Sequence, residues 1–458
     1  MTQFVGSIKQ HPARVSVVWY AATIAIGAVL LTQPFSYTDD RQPISPLDAV
    51  FTSTSAVCVT GLTVRSTGHD YSWFGQLVIM GLIQVGGVGI MTVTTYITLQ
   101  FGGRRGLRQR AIVAETLGAG ENTDVRWVLG RVLRLTLLFE GAGALLLFVR
   151  FLFDYDPYTA LWHAVFHSVA AFCNAGFGLH DDSLIRYQGD WLVNLTIMGL
   201  IIVGGIGYPV LIDINRDWKI PWRDRWDALL LHSKLVLVGT AALLTLGAVL
   251  FLLLEWEGVL RGMSFPRRVL VACFHSTTCR TAGFNSVDIG RLSSATLFLS
   301  ILLMAVGTGP CSTGGGFKVS TLTVLILRVW SSFRGRRQIN ISRRTISETA
   351  VDKAFAAATG FTAVAILLLT VLLVIEPVTG PYAVAAGDFM DKAFEVVSAL
   401  GTVGLSTGLT PHLSAAGKLI IILLMFIGRL GPISAFIALS RSERKQTIEY
   451  AQEEPLIG

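Results

Sequence analysis

Charge is scarce in this sequence: Asp, Glu, Lys and Arg supply 15% of 458 residues, while hydrophobic side chains supply 52%. Soluble domains carry about 25% charged residues, so the deficit excludes an ordinary water-facing surface and points to an integral membrane protein. Cysteine is also sparse. Cys58, Cys173, Cys273, Cys279 and Cys311 are odd in number and stand in no CxxC or Cys/His ligand spacing, so neither a disulfide framework nor a zinc site is expected. No nucleophile–base set occurs, which argues against an enzyme. The net charge of +7 does not indicate nucleic acid, because the arginines lie in short blocks between apolar runs, as topology signals do.

What is abundant is apolar sequence in lengths near the roughly 20 residues that a spanning helix needs. Eight such runs begin near Val15, Phe74, Val128, Leu192, Ala228, Ala295, Ala354 and Leu419. The first is too long for a signal peptide and no small-residue cleavage site follows it. The basic links between runs are too short for a further domain of about 100 residues.

Four runs share an ending. "QLVIMGLIQVGGVGIM", "NLTIMGLIIVGGIGYP", "ATLFLSILLMAVGTGP" and "KLIIILLMFIGRLGP" align on Gly86, Gly204, Gly307 and Gly428. Each follows a shorter stretch, "CVTGLT", "CNAGFG", "RTAGFN" or "TVGLST", centred on Gly61, Gly176, Gly283 or Gly404, and the two glycines stand 25, 28, 24 and 24 residues apart. Before each short stretch lies a half-length helix carrying Phe51, Phe166, Phe274 or Phe394. The unit is therefore helix, re-entrant half-helix, glycine-bearing loop, helix, repeated four times. The expected fold is all-α and membrane-integral, with eight spanning helices and four re-entrant half-helices arranged as parallel repeats around a central pore. The units cover 1–101, 102–218, 219–344 and 345–458, with pore loops near 46–64, 160–179, 266–286 and 388–408, and the last ends in a short cytoplasmic tail.

Basic residues cluster in the links: Arg104, Arg105, Arg108, Arg110 and Arg126; Arg216, Lys219, Arg223 and Arg225; Arg334, Arg336, Arg337, Arg343 and Arg344. Acidic Asp39, Asp40, Asp154, Asp156, Asp181 and Asp182 mark the opposite side. The positive-inside rule then puts the links and both termini in the cytoplasm and brings every pore loop in from outside. Arg261, Arg267 and Arg268 run against this pattern.

Non-helical backbone at membrane depth needs protein or water around it, and four loops entering from one face converge on an axis. Rings of backbone carbonyls can replace the hydration shell of a cation, and glycine narrows no passage. Gly61, Gly176, Gly283 and Gly404 are the expected filter, with Thr60, Ala175, Ala282 and Val403 adding carbonyls and Asn174 and Arg280 bracing from behind. His167 and His275 are expected to satisfy nearby backbone rather than bind metal. The alternative is an alternating-access secondary cation transporter with a midplane site; parallel rather than inverted repeats count against it.

"FHSVAAFCNAGF", "FHSTTCRTAGFN", "STGGGFK", "ALGTVGLSTGLTP" and "FIGRLGP" resemble the signatures of the Trk/Ktr/HKT superfamily of potassium uptake proteins, over about Val15 to Leu439. The likeness is greatest to the bacterial Ktr-type pore subunit, since Trk-type subunits usually carry two further N-terminal helices. The resemblance implies potassium as substrate, because glycine at all four filter positions goes with potassium in that superfamily and serine at the first with sodium. It implies no covalent cofactor and leaves sodium open as an activator. It also implies a homodimer of pore subunits in the bacterial cytoplasmic membrane and a separate cytosolic ring of nucleotide-binding regulatory subunits.

The stretch "GTGPCSTGGGFKVS", 307–320, breaks a helix inside the membrane, with Pro310 and three glycines each costing about 1 to 3 kcal/mol of helix propensity. A phosphate-binding loop does not fit, because Phe317 separates Gly316 from Lys318 and Val319 stands where Ser or Thr belongs. The superfamily places a gating loop here, which assigns gating to Gly309, Gly314, Gly315, Gly316 and Lys318. Arg429 lies in an otherwise apolar helix, aligned with Gly87, Gly205 and Thr308. Such an arginine faces either a partner, here Glu140 or Glu395, or a watery axis. In the second reading, shared with the superfamily, it contacts the gating loop and raises the cation barrier by about 1.7 kcal/mol at an assumed ~10 Å and effective dielectric of ~20.

Overall fold

The computed structural model describes residues 12–38, 43–101, 125–216, 221–336, 338–341, 344–377 and 382–431. Arg104, Arg105, Arg108, Arg110, Lys219, Arg337, Arg343, Asp39 and Asp40 lie outside the described residues, as do the two termini.

The chain folds as four helical groups. The first holds α1 (Pro12–Leu31), α2 (Pro46–Val57) and α3 (Trp73–Phe101). The second holds α4 (Val125–Phe151), α5 (Pro157–Phe172), α6 (Trp191–Ile206) and α7 (Tyr208–Arg216). After the short α8 (Trp222–Ala228) come α9 (Leu231–Leu254), α10 (Phe265–Thr278), α11 (Ser294–Ala305) and α12 (Val319–Phe333). The last group is α13 (Glu348–Ile375), α14 (Tyr382–Gly401) and α15 (Ala415–Leu430).

The short helices α2 and α5 start alike. Ser45 Oγ accepts from the Asp48 N–H at 3.1 Å and Asp156 accepts from Tyr158 and Thr159, each with proline in the first turn. All four short helices, α2, α5, α10 and α14, end alike. Val59, Asn174, Thr281 and Thr402 take φ of 56°, 59°, 65° and 51°, each two residues before a glycine that is also at positive φ. In three of them the next N–H reaches five residues back at 2.8 Å: Thr60 to Ser55, Ala175 to Ala170 and Val403 to Ser398. The left-handed residue thus stops the helix and sends the chain into the glycine.

The groups pack in cyclic order. α3 packs on α5, α6 on α10, α11 on α14, and α15 returns to α2, where Lys418 Nζ binds Asp48 at 2.8 Å. The core lies at these junctions, and Phe51, Phe166, Phe274 and Phe394 are all fully buried. Gly86, Gly204 and Gly428 allow the approach: a Cβ on each would strike the carbonyl oxygen of Val57, Phe172 or Leu400, near the end of a short helix. Gly204→Ala should therefore lower the melting temperature in detergent, since overpacking costs about 1 to 3 kcal/mol. Gly199→Ala, with no atom within 4 Å of the added Cβ, should leave it unchanged.

Three features depart from the sequence reading. First, α6 stops at Ile206 and the chain bends by 96° into α7. Gly207 takes φ of 100° there, and Pro209 brings no N–H to continue the ladder. Second, the fold is mostly rather than wholly helical: strands β1 (Ile339–Ile341) and β2 (Arg344–Ile346) pair antiparallel with Asn340 opposite Thr345. Third, α14 starts at Tyr382, before the stretch near 388–408 expected to hold a half-length helix and its loop, because the alanine-rich "YAVAAG" favours helix. Among the described residues, three helices are long and apolar enough to cross a membrane, or four if the bent pair α6 and α7 is one span.

Candidate filter and the loop beneath it

The four glycine-bearing turns meet at one place. A Cβ on Gly61 would fall against the carbonyl oxygen of Ala175, and one on Gly176 would lie 3.0 Å from that of Ala282. One on Gly283 would lie 2.5 Å from the carbonyl oxygen of Val403, and one on Gly404 would meet that of Thr60. Each glycine thus abuts the carbonyl of the next unit, and the fourth returns to the first. Any side chain would occupy space that a neighbouring backbone already fills.

The same four glycines floor a cavity of about 530 Å³ whose walls include Thr63, Arg65, Ser66, Asp70, Asp181, Asn285 and Ser406. The four short helices end at this floor. Each stops within a few residues of its glycine, so the negative end of its dipole, equivalent to about half an elementary charge, lies close by.

Hydroxyl groups fix the ring from behind. The Gly61 N–H donates to Ser55 Oγ at 3.0 Å and the Gly404 N–H to Ser398 Oγ at 3.1 Å. Glu395 accepts from Ser406 Oγ and, at 2.7 Å, from Thr410 Oγ1, bracing the fourth loop. The Asn174 carboxamide is buried between the second loop and the helix-breaking segment; turned so that both its ends are satisfied, its nitrogen donates to Phe172 O and Thr313 Oγ1, each at 3.2 Å.

Residues 306–318 form an irregular strap below the ring. Val306 pairs with Phe317 in an isolated bridge, and the Gly307 N–H donates to the Phe317 carbonyl at 2.8 Å. The strap crosses the second group, where Gly309 N–H donates to Gly205 O at 2.8 Å, Thr313 N–H to Gly204 O at 3.2 Å, and Tyr208 N–H to Cys311 O at 3.1 Å. It also touches the filter turns, since the Gly315 N–H donates to Thr402 Oγ1 at 3.1 Å.

A non-helical strap leaves carbonyls without N–H partners, and three cationic side chains fill that deficit. Lys318 Nζ donates to Gly314 O at 2.7 Å and Gly315 O at 3.2 Å. Arg280 donates to Gly307 O at 3.2 Å and to Thr240 O at 3.4 Å, so its guanidinium holds the strap rather than the filter turn behind which the sequence reading set it. Arg429 donates to Thr313 O and, at 2.7 Å, to Gly86 O. The ion pair left open for Arg429 does not form: Glu140 accepts instead from Gln84 Nε2 at 3.1 Å, and Glu395 serves the fourth loop. His167 Nδ1 lies 2.8 Å from the His163 carbonyl oxygen and His275 Nε2 lies 2.9 Å from Ser300 Oγ. No group of three or more metal-ligating side chains occurs among the described residues.

Several contributors escaped the sequence reading. Val59, Thr281 and Thr402 are β-branched residues at positive φ, a placement no propensity predicts. Ser55 and Ser398 did leave a signal, a serine six residues before the glycine in the first and fourth units. Thr313, between Pro310 and the glycines, received no role from the sequence, yet its carbonyl takes Arg429 and its hydroxyl meets Asn174.

Apolar helices in a cyclic bundle, with irregular carbonyl-rich backbone at the centre, define an integral membrane transport protein rather than an enzyme. A family model described as TrkH, cation transport protein, matches residues 22–448, and the chain belongs to this family. It is 37% identical to Ktr system potassium uptake protein B of Bacillus subtilis over 453 residues, 98% of each chain. It is 35% identical to potassium/sodium uptake protein NtpJ of Enterococcus hirae, again over 98% of each. The fold matches the crystal structure of the potassium transporter TrkH from Vibrio parahaemolyticus with a TM-score of 0.72 and 20% identity, covering 93% of this chain and 84% of that one.

Proposed function

We propose that the protein takes up potassium across the bacterial cytoplasmic membrane through a channel-like pore whose filter is one glycine per unit. The observation that carries this is the cyclic hand-over of carbonyls: Thr60, Ala175, Ala282 and Val403 each meet the glycine of the neighbouring unit, so four loops build one ring. The potassium uptake function of the Bacillus subtilis relative supports the choice of ion, and the potassium/sodium name of the Enterococcus hirae relative keeps sodium in view, as a second substrate or an activator. In this reading the eight apolar runs span the bilayer, α6 with α7 and α11 with the strap and α12 each counting once. The strap is the gate, held by Lys318, Arg280 and Arg429, and Gly309, Gly314, Gly315 and Gly316 give it room to move. As a Ktr-type pore subunit, the protein works as a homodimer, with a pore in each chain, under a cytosolic nucleotide-binding ring. The basic links and both termini face that ring.

The test is growth of a potassium-uptake-deficient bacterium at low potassium. We expect the chain, expressed with a Ktr-type regulatory subunit, to restore growth. No restoration by a correctly inserted protein would refute the assignment. Reporter fusions after residues 110, 220 and 340 check the topology, and any one found outside the cell removes the parallel-repeat pore.

A further inference from the structure

On the topology of the proposed function, on which this inference rests, Arg267 and Arg268 carry positive charge on the side of the membrane where the positive-inside rule disfavours it. They open α10, in a fold where each of the other three short helices begins without Lys or Arg in its first turn. Arg267 is exposed and donates to Gln188 Oε1 at 2.8 Å, next to the start of α6. Arg268 donates to the Met263 and Trp256 carbonyls at 3.0 and 3.3 Å, and its guanidinium lies 4.3 Å from the centre of the Trp256 ring, beside the end of α9. Both sets of partners are neutral. Arg267 shares a cleft with Asp154 and Asp190, but both carboxylates pair with Arg150, and among the described residues neither Arg267 nor Arg268 has a carboxylate within ion-pair distance.

Beyond this pair along α10, from Val269 onward, the surface is not filled. A crevice of about 600 Å³ runs between α6, α9 and α10, lined by side chains such as Leu195, Met198, Leu244, Val249, Val269 and Cys273. On α10 it extends from Val269 to Thr277, about 12 Å at helical rise, most of the hydrocarbon depth of one leaflet. Its rim is apolar and lipid-facing: Leu195 is 54% and Val249 48% exposed. Water gains nothing in such a space, since it needs several polar partners. Hydrocarbon fits it. Exposed aromatics stand where the three bounding helices begin or end, Trp191 at the start of α6, Phe265 at the start of α10 and Trp256 just past α9, as suits the level where a bilayer changes from tails to headgroups.

We propose that this crevice is a binding site for an anionic phospholipid of the leaflet on the vestibule side, with an acyl chain between α6, α9 and α10 and the phosphate held by Arg267 and Arg268. Two unpaired guanidiniums over an apolar slot match a phosphodiester over a hydrocarbon tail. A zwitterionic lipid offers the same tail but a headgroup whose own ammonium competes with the arginines. The inner end of the crevice reaches Thr277, three residues before Arg280, which grips the strap at Gly307. The lipid therefore packs against the helix that positions one of the three cations holding the strap.

Native mass spectrometry of the intact full-length protein in detergent tests this, with phosphatidylglycerol and phosphatidylcholine titrated in parallel. Phosphatidylglycerol should bind at least tenfold more tightly. Arg267→Gln with Arg268→Gln should abolish that preference while leaving the apolar slot intact. Gly199→Leu, which puts a side chain into open space in the crevice, should displace both lipids. Melting curves in lipid-free detergent establish that each variant is folded, and the arginine pair decides the question if Gly199→Leu is not. Equal binding of the two lipids, a preference that survives loss of both arginines, or a dimer split by Gly199→Leu with no lipid lost would each overturn the proposal. None of these readouts depends on potassium flux, so the site stands or falls apart from the transport reading.

Discussion

Gly61→Ser should reduce potassium-over-sodium discrimination at least tenfold in vesicle flux measurements, with the protein still inserted and folded. The backbone at Gly61 has φ of 97°, which costs a residue with a side chain about 1 to 2 kcal/mol. The new Cβ also collides with the carbonyl oxygen of Ala175 and lies 2.9 Å from Gly176 Cα, so the second loop must move. A carbonyl displaced from the ring no longer matches the ion it was set for, and 1.4 kcal/mol of differential binding is a factor of ten. Gly283→Ser should act in the same direction and to a similar degree, because its Cβ faces Val403 O at 2.5 Å, Gly176 Cα at 2.9 Å and Gly404 Cα at 3.3 Å. An unchanged ion ratio in a folded Gly61→Ser protein removes that glycine from the filter.

Arg429→Ala should raise potassium flux through the isolated pore subunit by at least tenfold. Two effects add. Removing a positive charge near the axis lowers the cation barrier by roughly 1.7 kcal/mol at the assumed ~10 Å and dielectric of ~20. It also frees Thr313 O, one of the anchors of the strap. The flux should then depend less on the regulatory subunit. Arg429→Lys separates the effects, since it keeps the charge but cannot span Thr313 and Gly86 with one planar fork. If Arg429→Ala leaves flux unchanged or reduces it in a protein of normal stability, the arginine is a structural tie only.

The repeat was legible because two landmarks recur together: Gly61 with Gly86, Gly176 with Gly204, Gly283 with Gly307 and Gly404 with Gly428. Spacing of that kind survives without knowledge of the fold. What a linear pattern cannot carry is which backbone atom meets which. That Gly404 abuts Thr60 is a contact between the last unit and the first, and nothing local to either marks it. Arg280 shows the same limit: its place three residues before Gly283 suggested a brace behind the filter, but a long side chain reaches past its own loop to Gly307. The bend at Gly207 was hidden by the apolar run on either side, although "GYP" carries both of its causes. The basic trio at Arg261, Arg267 and Arg268 runs against the topology pattern, and nothing in the sequence marks the crevice that begins at Val269, next to two of them.

Closure of the ring also bears on how the protein is made. The ion pair between Lys418 and Asp48 joins residues 370 apart in the chain, and the Thr60 carbonyl finds its glycine only in the fourth unit. A ribosome that has released three units into the bilayer has produced three quarters of a ring, open on one side to lipid. On the proposed function, the ion path is complete only once the final unit is inserted.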